Sequence, residues 1–271
     1  MSDFQYTRLE DGRKTRFTDL AAAINSKNPR AERWMFVSPH DDDACLGGGL
    51  WIAAAVQSGF EVEVLIVTDG RMGYCSIDQI ARIIQTRRAE TIESCGMLGV
   101  PPAHVQYIGY PDGGLYGLQG RRPAAPGEND IHRYVGLQNA MTHHLREFRP
   151  TAVFVPTSAD LHPDHQITNR ELMISLFHAS GAIWPELGEP IAQVPRVFEM
   201  AVYCDFPEPP NLEVRASEAM FEKKLKSIAA FRSQLQIDQL VANVRAAGAY
   251  EYTREMKFRF YSADTYKPMF A

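Results

Sequence analysis

Five short, almost uninterrupted apolar runs constrain the fold of this chain more than any other feature. They lie at residues 33–38 (RWMFVS), 61–70 (EVEVLIVTDG), 104–110 (HVQYIGY), 151–158 (TAVFVPTS) and 197–206 (VFEMAVYCDF). Each is too short for a buried helix and rich in β-branched or aromatic residues, so each reads as a strand covered on both faces. Helical patterns stand between them. One, 46–60, contains a glycine triplet and stops at Gly59; another, 86–100, stops at Gly99; a third, 139–150, is closed by Pro150. A long amphipathic pattern over 217–234 begins at Ser217, a good N-cap residue. Doubly buried strands that alternate with helices are the unit of a parallel sheet with helices on both faces. The expected fold is therefore α/β and Rossmann-like, in one domain over residues 1–271. Residues 1–30 read as a polar lead-in with a short helix around TDLAAAINS, and the core runs from about 33 to 260. With 45% apolar residues over 271 positions, such a domain fills a core without disulfides.

In open parallel sheets, ligands bind beyond the carboxyl ends of the strands. The loops expected there are unusually rich in chemistry. The first contains His40, Asp41, Asp42 and Asp43 ahead of Gly47–Gly49; the second contains Asp69 and the third Asp112. The fourth reads TSADLHPDHQ, with Asp160, His162, Asp164 and His165. So many carboxylates at one edge are most simply explained by a divalent cation. Imidazole among the donors points to zinc or iron rather than to calcium or magnesium. His40 and Asp43, three apart at a strand-to-helix turn, reach the same side, and His165 completes a three-ligand shell with one place open to water. Asp42 is then set to accept a proton from that water. His162 donates to a developing oxyanion or protonates the leaving group, and Asp164 orients an imidazole.

Each segment also has a plainer reading. Aspartates after a strand commonly form a wet turn, H-x-x-H occurs on many helices, and Gly47–Gly49 need do no more than let a helix approach the sheet. Asp69 and Asp112, each followed by glycine, suit turns. The joint placement of the two clusters after strands of one sheet favours a site.

The segments PHDDDACLGGG and HPDH resemble the paired signatures of the LmbE-like deacetylases, which include the N-acetylglucosaminyl-phosphatidylinositol (PIG-L) de-N-acetylases. TRRAETIESCGMLGV resembles that family's R-x-x-E helix, with Arg87 and Glu90 in the matching places. YPDGGL and KLKSIAAFRSQ are similar to two further segments, so the likeness runs from about Arg33 to Phe260. The resemblance implies a metal-dependent hydrolase that cleaves the linear amide of an N-acetylated amino sugar or sugar conjugate. It makes His40, Asp43 and His165 the metal ligands, Asp42 the general base and His162 the oxyanion stabiliser or acid. Arg87, or Arg88 if the alignment slips by one, and Asp112 would contact substrate. Asp41 stands where the family has proline and Ala44 where it has glutamate.

The expected cofactor is Zn2+, with Fe2+ or another divalent metal as alternatives. A non-haem iron oxygenase built on the same two-histidine, one-aspartate triad is the competing enzyme. A non-catalytic sugar- or nucleotide-binding homologue is the competing binding module. It is disfavoured as a nucleotide site because Ile52 occupies the third glycine position and Asp41–Asp43 would face a pyrophosphate. A net charge of −5 gives no reason to expect nucleic acid. No apolar run is long enough to span a membrane, and the four cysteines form no C-x-x-C pair. The expected partner is a small N-acetylated sugar or conjugate, the expected location is cytoplasmic, and a homo-oligomer is left open.

Overall fold

The protein is described here from a computed structural model covering residues 2–257 and 261–271. Its strands are β1 (Phe4–Glu10), β2 (Arg13–Phe17), β3 (Arg33–Ser38), β4 (Glu61–Thr68), β5 (Val105–Tyr110), β6 (Arg122–Pro123), β7 (Tyr134–Val135), β8 (Ala152–Pro156), β9 (Arg196–Met200), β10 (Leu212–Ala216) and β11 (Tyr250–Met256). The helices that matter here are α1 (Leu20–Ala23), α2 (Asp43–Gln57), α3 (Ile83–Leu98), α4 (Leu137–Phe148), α5 (Pro163–Ser180), α6 (Glu218–Ala229) and α7 (Ile237–Ala247). Nine strands form one sheet in the order β2-β1-β10-β11-β9-β8-β3-β4-β5, and β6 and β7 form a separate hairpin. The five strands expected from the apolar runs are β9-β8-β3-β4-β5, and they are parallel. The remaining four extend the sheet antiparallel from β9.

Side-chain alternation along each central strand builds two cores. Trp34 and Phe36 of β3 face one side, where they meet α2, α3 and α6; Met35 and Val37 face the other, under α4 and α5. Helix α2 lies close against the sheet, and its glycines explain how. A Cβ on Gly48 would stand 2.7 Å from Met200 Sδ and 3.0 Å from Phe36, and one on Gly47 would stand 3.0 Å from the Ala201 carbonyl oxygen. The helix that carries Asp43 at its first turn is thus seated directly on the strand ends. No described helix is long and apolar enough to cross a membrane.

The polar lead-in is corrected by the structure. Residues 4–17 form a hairpin that adds β1 and β2 to the sheet edge, and only the short helix α1 falls where expected. The turn is made by Asp11 and Gly12, both at positive φ, the geometry that matches strand twist in a two-residue hairpin. The signal is weak because Phe4 and Tyr6 are the main apolar contacts of β1, while β2 is almost wholly exposed. The helix expected over 217–234 begins at Ser217, whose side chain accepts the Met220 N–H, but it stops at Ala229. The hairpin β6/β7, the strands β10 and β11, and the helices α5 and α7 are not among the expected elements, although α7 repeats apolar residues at Ile237, Leu240, Val241 and Val244.

A buried ion pair ties the antiparallel extension to α2. Lys224 of α6 donates to the Leu46 carbonyl at 2.9 Å and pairs with Glu251 of β11. The Glu251 carboxylate also accepts the main-chain N–H groups of Leu50 and Trp51 at 2.9 and 3.2 Å. Removing one member of a buried pair strands the other charge. Glu251→Leu should therefore cost about 3–5 kcal/mol in chemical denaturation, and Lys224→Met in the same chain should recover part of it. Equal losses in the single and double variants would contradict this. Glu63 of β4 is a second buried carboxylate, with Oε1 lacking a partner among the described residues. Burial pushes its pKa up to about 7, against the attraction of Arg33. Its protonated form favours the folded state, so that stability is complete below the ordinary carboxylate value and is lost as pH rises through about 7. Glu63→Gln should raise Tm at pH 8 and leave it nearly unchanged at pH 4.5; an equal shift at both would contradict the assignment.

Candidate metal centre and active site

The first motif is shaped where β3 gives way to α2. Ser38 Oγ accepts the Ala44 N–H at 3.0 Å and donates to the His40 carbonyl at 2.6 Å, which fixes the turn although Asp41, not proline, follows His40. Asp42 occupies the N-cap position with its carboxylate free of any capping bond. Asp43, first in the helix, turns back so that Oδ2 accepts the His40 N–H at 2.8 Å, and the positive end of the helix favours its charge. The second motif opens α5. His162 is its N-cap residue and Pro163 follows at a position where no N–H is needed. Fully buried Glu199 of β9, paired with Arg254 of β11 at 3.0 Å, accepts the Ser158 N–H at 2.9 Å and anchors that loop.

These turns bring three donors together from two strands. His40 Nδ1 lies 3.2 Å from Asp43 Oδ2 and 3.2 Å from His165 Nε2, and the latter two are 3.1 Å apart. Donors around a tetrahedral zinc, with bonds of about 2.0–2.1 Å, stand about 3.3 Å from one another. Asp43 Oδ1 is buried with no hydrogen-bond partner among the described residues, an orphan that a cation would satisfy. The donor set of two imidazole nitrogens and a carboxylate suits zinc or iron, so the residues fit the ion. Burial alone would raise the Asp43 carboxyl, yet His165 and His40 hold it well below the usual range. Burial alone would lower His40, yet Asp43, Asp112 and Asp164 raise it well above the usual value. Without the ion these imidazoles draw protons, which an incoming cation must displace.

A second set of carboxylates fixes the imidazoles. His40 Nε2 faces Asp112 Oδ1 at 3.2 Å and Asp164 Oδ2 at 3.5 Å, while His165 Nδ1 faces Asp160 Oδ2 at 3.1 Å. Such partners set tautomer and ring orientation in metal sites. Asp112, expected to contact substrate, faces His40 with one oxygen, while its other oxygen accepts the Met72 N–H at 3.0 Å. Asp164 orients His40 and not His162; its carboxylate also accepts the Gly113 N–H at 2.8 Å.

His162 and Asp42 flank the centre. The His162 ring lies 4.6 Å from that of His40 and 5.0 Å from that of His165. Its Nδ1 accepts the Asp164 N–H at 3.3 Å, so a neutral ring carries its proton on Nε2 as a donor. Burial and the two neighbouring histidines lower its pKa and keep it neutral. Burial and the charge of Asp43 raise the carboxyl of Asp42, making it a stronger proton acceptor than an exposed aspartate.

Arg87, the other residue expected to contact substrate, lies buried behind the aspartate turn. It is 2% exposed, donates from Nη1 to Gln234 Oε1 at 3.2 Å, and stands 3.5 Å from Asp41 Oδ2. It braces the aspartate turn from behind. Arg88, the alternative one residue on, lies over the Tyr107 ring. One turn further along α3, Glu90 accepts both the N–H and the Oγ–H of Ser233, at 2.8 and 2.7 Å. The R-x-x-E and S-Q segments are therefore two halves of one lock. Asp160 counts among the carboxylates of the fourth loop and Gln234 closes the KLKSIAAFRSQ segment, but sequence reasoning gives neither a role and does not single out Tyr203.

Residues 35–175, just over half of the chain, match the family described as PIG-L, GlcNAc-PI de-N-acetylase. The chain is 26% identical over 179 residues to a 1D-myo-inositol 2-acetamido-2-deoxy-alpha-D-glucopyranoside deacetylase of Kineococcus radiotolerans, covering 60% of this chain and 49% of that protein. It thus spans about half the length of that relative. It is 23% identical over 240 residues to a diacetylchitobiose deacetylase of Thermococcus kodakarensis, covering 86% of this chain and 82% of that one. The solved N,N'-diacetylchitobiose deacetylase of Pyrococcus horikoshii shares the fold at a TM-score of 0.69 and 24% identity, over 92% of this chain and 94% of that one. The matched stretch contains both halves of the histidine–aspartate centre, and the chain belongs to the PIG-L, or LmbE-like, family.

Proposed function

We propose that this chain is a metal-dependent de-N-acetylase, with zinc as the expected ion, that hydrolyses the acetamide of an N-acetylated amino sugar or sugar conjugate. The observation that carries this reading is the triangle of His40 Nδ1, Asp43 Oδ2 and His165 Nε2, with sides of 3.1–3.2 Å. A divalent cation bound there supplies a Lewis acid and brings the pKa of water down to about 7. Relatives named for deacetylating an inositol-linked acetamido sugar and diacetylchitobiose support the substrate class.

The chain's own groups divide the rest of the work. Asp42 takes the proton of the attacking water, and its place beside Asp43 in the backbone fixes the distance between base and ligand. His162 Nε2–H donates to the carbonyl oxygen as charge develops there, a contribution that grows in a buried, water-poor site. The proton taken by Asp42 is then available to the departing amine. Asp112, Asp164 and Asp160 hold the two imidazoles so that none of this requires rearrangement.

Two substitutions test these roles. Asp42→Asn should keep the metal and lower kcat by about 10²–10⁴ in an amine-release assay on N-acetylated sugars. Normal turnover with metal in place would remove Asp42 as the base, and activity that required oxygen would favour the iron oxygenase. Asp160→Asn should weaken metal binding or activity by about 10–100-fold, read by chelator competition and turnover. An unchanged variant would show that His165 needs no partner at Nδ1.

A further inference from the structure

The loop after β9, the fifth parallel strand, also reaches the centre. Tyr203 stands three residues beyond Met200, and its ring stacks on the His165 imidazole at 5.0 Å with an interplanar angle of 28°. It lies 5.9 Å from the His162 ring. Its main-chain N–H approaches Asp160 Oδ2 at 3.4 Å, the same oxygen that faces His165 Nδ1. The tyrosine is thus fixed to the metal centre through both backbone and ring. Yet the residue is 55% exposed, so part of it is left free to meet a ligand. Beside it Leu161, the residue before His162, is 78% exposed. A flat apolar surface therefore stands open at the mouth of the site, one ring's thickness from a ligand imidazole.

We propose that Tyr203 is a two-sided platform: its inner face pins the His165 imidazole, and its outer face carries the sugar ring of the substrate while the acetamide enters the centre. This rests on the de-N-acetylase reading above. The C–H-bearing face of a pyranose is apolar and matches an aromatic face, and an aromatic side chain gives that contact with little loss of conformational freedom. The ring face does the work and the hydroxyl is dispensable. Burial and the surrounding carboxylates of Asp43, Asp42 and Asp160 raise the phenol pKa, so it stays neutral.

The test compares zinc-loaded wild type with Tyr203→Phe, Tyr203→Trp and Tyr203→Ala on N-acetylglucosamine and N,N'-diacetylchitobiose, with metal content measured on each protein. Phe and Trp should keep KM within about twofold, whereas Ala should raise it about tenfold with kcat changed far less and metal retained. An unchanged KM in Tyr203→Ala would overturn the platform, as would an equal loss in Tyr203→Phe, which would assign the effect to the hydroxyl. If Tyr203→Ala does not fold, a KM in Tyr203→Trp raised as far as tenfold overturns it. Wild type that releases amine while these variants behave alike defeats the platform alone. Wild type that releases none defeats the deacetylase reading and the platform with it.

Discussion

Negative charge buried at one edge of the sheet is the constraint on which the site depends. Asp43, Asp160 and Asp164 are essentially inaccessible to solvent, and together with Asp112 they surround just two imidazoles, His40 and His165. Asp41 and Asp42 add two more carboxylates, both of which burial drives toward protonation. Ionised carboxylates removed from water are costly unless something cationic compensates them. Protons on the histidines do part of this, and a divalent cation would do it more completely while satisfying Asp43 Oδ1, which has no hydrogen-bond partner among the described residues. The same electrostatics that favour an ion also leave the surrounding donors already oriented for the reaction proposed above.

The fold supplies this arrangement through short, rigid connections. The first motif hangs from β3 and the second from β8, adjacent parallel strands in register through Phe36 and Phe154, so neither loop has far to reach. Helix α2 can begin directly beneath the site only because Gly47 and Gly48 admit Met200 and Phe36 where a side chain would clash. The antiparallel half of the sheet contributes at a distance: Glu199 and Arg254 hold the loop before His162, and Glu251 with Lys224 holds α2. What looks like an appendage to a parallel sheet is therefore a brace for its catalytic edge.

Much of this was legible in the residues themselves. The five apolar runs became the five parallel strands, because strands buried on both faces leave little choice of residue. The edge strands escaped notice because one covered face and one wet face, over five to seven residues, give too few apolar positions to stand out. At the site, the three donors, Asp42 and His162 were read from spacing after strands. Which group each carboxylate faces was not, since Asp112 and Asp164 meet His40 only through the closure of loops more than fifty residues away. The two departures from the family pattern also find a place. Asp41 stands against Arg87, Ala44 is packed into the main core, and the Ser38 hydroxyl holds the turn that a proline would have stiffened.

The most direct measurement is anomalous diffraction at the metal absorption edge from crystals of the purified protein, combined with an X-ray fluorescence spectrum. The account predicts one ion, zinc in the first instance, bonded to His40 Nδ1, Asp43 and His165 Nε2. An ion held instead on the far side of the ring, between His40 Nε2, Asp112 and Asp164, or no bound ion after loading with zinc or ferrous iron, would contradict it.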